Sequence, residues 1–528
     1  MKKIFFILAV GISILLLSSC TKNKNSSIEP ASSIKEAAIG YKIEKIVLSR
    51  GYQSIEPKVE IINKNDSKEI LASLGLIECS GVTIDKITKV DNEIKIYTNR
   101  LLDNDKVQLV VPQLIFSLED SDILKSSDVR FKIINQNYKP INLKFNRSQI
   151  LNNIYSNFKI SQSTIPNVNL IKSNDTYIWD INFNNIFDRD SLKLPLMNFT
   201  VQADANTGEI LSSNKDIVST YIDYGEILDY ISDKYLLYKR EEKKDDEIYN
   251  NLYVYNINTE QKEKIYTTNN IIRLAKFSPD SGNISLIEND DNITNIYLVN
   301  LKDKIIKKIT PHGYNHTWSI KWKDKENLYF INNDTNEKST LFDYNLSTNE
   351  AEQIFLTTKN VSDFDFIDNS FLITEFDADN INKNIYLTND GVILNKIDTG
   401  YKATFLDNKT ILYLKNIQDK NTNVLCIYHI DSGLKTIEDK LNLEDYTILK
   451  DNKLTLVAKN SCNDDFDLIE YDILSGDMMT IANVTSPKVF CNSNNNVGYL
   501  SLTPPLEDSK RSIVYSIDLE KLKTNKNK

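Results

Sequence analysis

The residues able to do chemistry are few and poorly placed for it. The three histidines are His312, His316 and His429. His312 and His316 stand four apart, the spacing that lets two imidazoles on one helix face share a metal ion. They lie, however, in Pro311-His-Gly-Tyr-Asn-His316, a turn sequence in which the spacing loses that meaning. Cys79, Cys426, Cys462 and Cys491 show no CxxC spacing and no nearby His pair. Cys462 and Cys491 could pair in an oxidising exterior; buried thiols acting as small apolar side chains are the plainer reading. Asp377-Ala-Asp-Asn-Ile-Asn382 puts Ile381 where a calcium loop needs an oxygen ligand, so it reads as a solvated turn. No nucleophile elbow, P-loop or dinucleotide fingerprint occurs. The expectation is a chain with no catalytic residue, no metal site and no cofactor: not an enzyme.

The fifth cysteine, Cys20, has a different setting. Lys2 and Lys3 precede an almost unbroken apolar run from Ile4 to Leu17, and Leu17-Ser-Ser-Cys20 closes it. A positive start, an apolar stretch and a small-residue end make a secretion signal. The run is also shorter than the roughly 20 residues that span a bilayer as a helix. The pattern resembles the bacterial lipobox. That resemblance implies a signal peptide over residues 1–19, cleavage before Cys20, and acylation there by palmitate-like chains, which would anchor the chain stably. Residues 20–35 are then a polar tether rich in Lys, Asn and Ser, unable to bury a core. The expected location is the extracytoplasmic face of the cell membrane.

Composition narrows the remainder. The chain has 528 residues, 41% hydrophobic and 9% aromatic, enough for several packed domains. Its formal charge is −10; without Lys2 and Lys3 the rest carries −12. An acidic chain is a poor partner for nucleic acid or anionic lipid headgroups.

The elements that must position any site are repetitive. One short strand recurs seven times, as Leu252-Tyr-Val-Tyr-Asn256, Ile296-Tyr-Leu-Val-Asn300, Leu341-Phe-Asp-Tyr-Asn345, Ile385-Tyr-Leu-Thr-Asn389, Leu425-Cys-Ile-Tyr-His429, Leu468-Ile-Glu-Tyr-Asp472 and Ser512-Ile-Val-Tyr-Ser516. Successive copies are 44, 45, 44, 40, 43 and 44 residues apart. Four-stranded propeller blades repeat at about 40 to 45 residues. The reading is a mainly β chain with a C-terminal seven-bladed β-propeller over 214–524, six or eight blades remaining open, and a polar tail over 525–528. Phe277-Ser-Pro-Asp-Ser-Gly-Asn-Ile-Ser285 resembles the lead of TolB-type, WD40-like propeller repeats. Asp216-Ile-Val-Ser-Thr-Tyr-Ile222 is a β-rich segment before the first repeat, expected to supply the outer strand of the last blade and close the ring.

Two small α+β domains are expected ahead of the propeller. Over 143–213, a helix across 146–158 capped by Ser148, strands at 177–183 and 198–201, and the Asp204-Ala-Asn-Thr-Gly-Glu209 turn resemble a PepSY module, which implies an interaction role. Over 36–142, a hairpin around Asp91-Asn92, an amphipathic helix at 106–118 broken at Pro112, and a strand at 129–133 resemble a GerMN domain. These resemblances imply a binding or scaffold lipoprotein of an envelope, spore-germination or sensor-kinase system, with a protein partner in the cell envelope. The alternative is a propeller enzyme, a hydrolase or lyase acting on envelope or extracellular peptides or glycans. Asp280 and the Asp290-Asp291 pair mark a candidate face.

Overall fold

The computed structural model describes residues 36–64, 67–125, 128–290, 293–309, 316–334, 338–377, 379–449, 452–460, 465–504 and 511–522. Cys20, Asp291, His312 and Cys462 lie outside them. The chain divides into two compact units, 1–142 and 143–528.

The described residues of the first unit are strands plus one short 3-10 helix, Ser121–Lys125, which corrects the expected α+β domain. One sheet runs in the order Ala37–Ile39, Gly81–Val90, Glu93–Leu101, Arg130–Asn135, the last pair parallel. The hairpin at Asp91-Asn92 forms as expected, with Val90 opposite Glu93. The second sheet is built around Gln108–Leu118, the segment expected to be helical. Its buried positions from Val110 to Leu118 are mostly alternate ones, which suits a strand and not a helix. Pro112 is tolerated because it falls at a change of neighbour. Residues 108–110 pair with Ile77–Cys79 and 113–116 with Ser67–Ser73. The Pro112 carbonyl accepts from Leu74 N at 2.9 Å.

The second unit begins with the small α+β module. Its helix is Arg147–Asn157, which buries Ile150, Leu151 and Ile154. Asn146, not Ser148, caps it: the Asn146 side chain accepts from Gln149 N, and Gln149 reaches back to Asn146 N, a reciprocal capping box. The helix covers an antiparallel sheet of Asn167–Ser173, Thr176–Phe187, Leu196–Asp204 and Ile210–Ile217. Phe158 stands edge-on to Phe199, and Tyr155 edge-on to Phe183. In the turn, Asp204 Oδ1 accepts from Asn206 N and Thr207 N. Gly208 takes φ +75°, and a Cβ there would strike the Phe145 ring.

Residues 219–518 form the β-propeller. Four-stranded antiparallel sheets cover 226–268, 271–308, 316–357, 361–400, 401–438 and 443–484 in chain order. The fourth and fifth share one long strand, Asn395–Asp407. Its first part pairs back to Lys383–Thr388 and its second forward to Thr410–Ile417. The seventh sheet joins Phe490–Cys491, Val497–Leu502 and Ile513–Asp518 to an outer strand from far upstream, Ser219–Tyr224. Each recurring sequence lies at the third strand of its sheet.

Ring closure thus uses the expected neighbourhood, shifted by a few residues. Asp216 and Ile217 pair within the module, opposite Asn198 and Met197, so the propeller starts at Ser219 and not at 214. Apolar clusters fill the gaps between neighbouring sheets all the way round. At the join, Ile222, Tyr499 and Val514 of the seventh sheet pack with Ile227, Leu236 and Tyr238 of the first. The module rests on that seventh sheet. Leu196 and Val218 enter its core, and the Tyr515 hydroxyl donates to the Leu194 carbonyl at 2.8 Å.

Candidate functional site

In a propeller the first strand of each sheet faces the axis, and here neighbouring first strands approach one another. They are Glu226–Ile231, Ile271–Phe277, His316–Trp322, Val361–Ile367, residues 401–407 and Leu443–Ile448. All six carry an irregularity in this inner strand, and four of them, in the second, third, fourth and sixth sheets, carry it at the equivalent position. The register slips at 227/229, 272/274, 317/319, 361/363, 401/404 and 443/445. A β-bulge re-aims the side chain it displaces. The displaced residues are Leu228, Arg273, Trp318, Ser362, the Lys402-Ala403 pair and Glu444. Arg273 and Glu444 are exposed and Trp318 half-buried. A repeated backbone device therefore presents chemically different side chains around one end of the channel.

Two of them join a stack across three sheets. The Arg273 guanidinium lies over the Trp318 ring at 4.5 Å, and Trp318 stacks on Phe376 with centroids 5.4 Å apart. His316 stacks on Trp318 at 6.0 Å, and Lys383 covers Phe376. Arginine on an indole face gains from the ring quadrupole.

Behind the bulges runs a belt of charge. Asp229 accepts from Lys276 Nζ and Phe277 N, each at 2.9 Å, tying the first sheet to the second. Asp363 accepts from Ser319 Oγ at 2.6 Å. Asp365 accepts from Lys321 Nζ at 2.9 Å and Phe405 N at 2.8 Å, spanning three sheets. Lys402 pairs with Asp445. The Tyr446 hydroxyl contacts Thr404 Oγ1 at 2.9 Å, and desolvation pushes its ionisation well above the usual tyrosine range.

Desolvation, aided by the charges of Lys488 and Lys276 and opposed by Asp363, pushes the Lys402 ammonium down to about 7. Its contact with Asp445 works the other way and favours the charged form. Lys488, next to the inner strand of the seventh sheet, is also lowered, by desolvation and then by Lys276.

The residues singled out in the sequence sit elsewhere or do other work. Asp280 is spent on its own turn: Ser278 Oγ donates to it at 2.6 Å and Gly282 N at 3.0 Å. That turn follows the strand end opposite the Arg273 bulge. Asp377 likewise accepts from Asp379 N and Asn380 N. His429 is half-buried on a third strand, far in sequence from His316. Among the described residues no group of three His, Cys, Asp or Glu side chains could hold a metal ion. Cys79 and Cys426 are buried free thiols, and burial pushes the half-buried Cys491 thiol up to about 12. No helix among the described residues is long and apolar enough to cross a membrane. The bulge ring was missed because a bulge leaves no residue signature. Its one trace in the sequence was the aromatic run His316-Thr-Trp-Ser-Ile-Lys-Trp322.

No family model matches the sequence, and comparison with curated proteins finds no match. Solved structures of similar fold include an oligogalacturonate lyase in complex with manganese, at 13% identity over 62% of this chain and 97% of that one, TM-score 0.44. The β-propeller domain of the Trilobed protease from Pyrococcus furiosus is 16% identical over 56% and 98%, TM-score 0.42. TolB from Acinetobacter baumannii is 13% identical over 68% and 87%, TM-score 0.33. A β-propeller carries binding proteins and enzymes alike.

Proposed function

We propose that this chain is a lipid-anchored extracytoplasmic binding module, serving as a scaffold in a cell-envelope, spore-germination or sensor-kinase system. The anchor is Cys20, at the small-residue end of the signal. The observation that carries the binding role is the bulge ring. It sets an arginine, a tryptophan and a glutamate around one concave end of the propeller. Tryptophan and arginine are the residues that most often dominate protein interfaces. Most acids and bases of the belt behind the ring are spent on cross-sheet ion pairs and hydrogen bonds, which suits a rigid recognition surface better than proton transfer.

The test is capture of partners from crosslinked membranes by the intact chain and by its Trp318→Ala variant. The expected result is a specific membrane protein recovered by the first and lost by the second. Recovery of the same proteins by both would remove the ring from the binding role. The enzyme alternative, hydrolysis or lyase cleavage of peptides or glycans, is tested by a broad substrate screen on the secreted form. Robust turnover there would replace the scaffold reading.

A further inference from the structure

A cavity of about 260 Å³ lies where the small α+β module meets the sixth sheet of the propeller. Pockets for drug-sized ligands begin at roughly 300 Å³, so this one suits a smaller molecule. The module supplies most of the wall. Its strand Thr176–Phe187 breaks register between Phe183 and Ile186, displacing Asn184 and Asn185. Such a bulge re-aims side chains. Asn185, at φ +55° and 5% exposed, is turned against the propeller. Its Nδ2 donates to the Asn483 carbonyl at 3.0 Å and to Asn483 Oδ1 at 3.1 Å. A backbone carbonyl can be met only by a donor, so the orientation of the Asn185 amide is fixed. Asn185 Oδ1 is left buried and without a partner among the described residues. The wall thus holds an acceptor that the chain does not satisfy, and a donor entering the cavity would relieve it.

Opposite charges border the same space. Arg189 and Asp465 both line the cavity. Arg189 is exposed, and its neighbours Asp188 and Asp190 are both taken by Lys215, at 2.8 and 2.9 Å. Among the described residues no carboxylate lies within ion-pair distance of the Arg189 guanidinium. Asp465 comes from the propeller, directly before the strand Phe466–Asp472, and its carbonyl accepts from Asn460 N at 2.9 Å. The register of that sheet sets Asp467 opposite Asn483, the residue that holds Asn185. A cation and an anion therefore line one small cavity without pairing with each other. The rest of the wall is partly apolar, with Ile160, Ile186, Phe187 and Ile165, the last 65% exposed.

We propose that this cavity binds a free α-amino acid with an aliphatic side chain, its carboxylate held by Arg189, its ammonium by Asp465 and its side chain by the apolar wall. The guanidinium fork matches a carboxylate in two parallel hydrogen bonds. A ligand carrying both charges satisfies both residues at once, where a simple anion or cation would satisfy one and leave the other facing a like charge. Arg189 belongs to the module and Asp465 to the propeller, so the bound amino acid ties the two together. The site is separate from the bulge ring and does not rest on the binding role of that ring.

Calorimetric titration of the intact chain with leucine, isoleucine and valine tests the site. Saturable binding of at least one is expected. Its N-acetyl derivative, which lacks the ammonium, and its amide, which lacks the carboxylate, should each bind at least tenfold more weakly. Arg189→Met and Asp465→Asn should each weaken binding at least tenfold. Lys304→Ala, which removes a charge paired with Glu263 on the second sheet, should leave it unchanged. Far-UV circular dichroism and thermal melting check that each variant folds. The amino acid should raise the melting temperature of the wild type and not that of Arg189→Met. No saturable binding of any of the three, equal binding of the N-acetyl derivative, or undiminished binding by Arg189→Met overturns the proposal. Partner capture that depends on Trp318 is read independently, so either reading can fail alone.

Discussion

At the scale of single residues, the propeller is held by carboxylates that serve several partners. Asp223 is the clearest case. It is 6% exposed and accepts from the Tyr238 hydroxyl at 2.8 Å, Tyr224 N at 2.8 Å and Arg240 Nη1 at 3.2 Å. It thereby binds the closing strand to the first sheet. Asp223→Ala leaves the buried Tyr238 hydroxyl without its acceptor, while Arg240 keeps Glu242; it should cost roughly 1–3 kcal/mol, the range for a buried polar group left unsatisfied, read by chemical denaturation. Asp398 gives a pH test. Burial works against its charge, but hydrogen bonds from Lys415, Tyr413 and Lys435 prevail and hold it far below the usual carboxylate range. A carboxylate lowered in the folded state stabilises above its unfolded value of about 3.9, and that contribution fades as pH falls through the folded value. Asp398→Asn should therefore be less stable than the wild type at neutral pH. The gap should shrink as the pH is taken down from about 4, as denaturation at stepped pH would show.

At the scale of elements, the closing strand does more than its six residues suggest. Ser219–Tyr224 pairs with Ile513–Asp518, removing a free edge from the seventh sheet. Ile222 fills the join at 4% exposure. Ile222→Ala should cost about 2–5 kcal/mol by emptying that position. A chain beginning at Gly225 should melt lower and aggregate more readily than one beginning at Asn214, which keeps the strand. Equal melting temperatures would mean that Leu519 and Leu522, buried in the seventh-sheet core, complete the ring without it. The bulges belong to this scale too. They recur because the inner strands must bend into the ring; at Arg273, Trp318 and Glu444 the displaced side chain stays out of the buried cores and is available for recognition, whereas Leu228 and Ala403 pack into them.

At the scale of the whole molecule, the proposed anchor at Cys20 would set the geometry of action. A propeller anchored in this way would meet its partners near a membrane, where even weak single contacts are favoured by proximity. Cys20→Ala should leave the chain unlipidated and move it from the membrane to the soluble fraction or medium. Unchanged membrane retention, with the signal removed, would refute the anchor.

The sequence by itself determined what repeats and what alternates. The seven copies of one strand at a spacing near 44 residues named the propeller, because a blade of four strands needs that much chain. The helix at 147–157 and the Asp204–Gly208 turn were legible because capping and left-handed glycine are local chemistry. Gln108–Leu118 was misread because an apolar run containing proline fits either element until its neighbours are known. Only tertiary structure showed Ile77–Cys79 and Ser67–Ser73 changing places beside it. The candidate site was hidden for the same reason. Arg273, Trp318, Lys402 and Glu444 are scattered over more than 170 residues of sequence, and no local rule links them. The ring brings them together, since its closure turns the same position of successive sheets toward one axis.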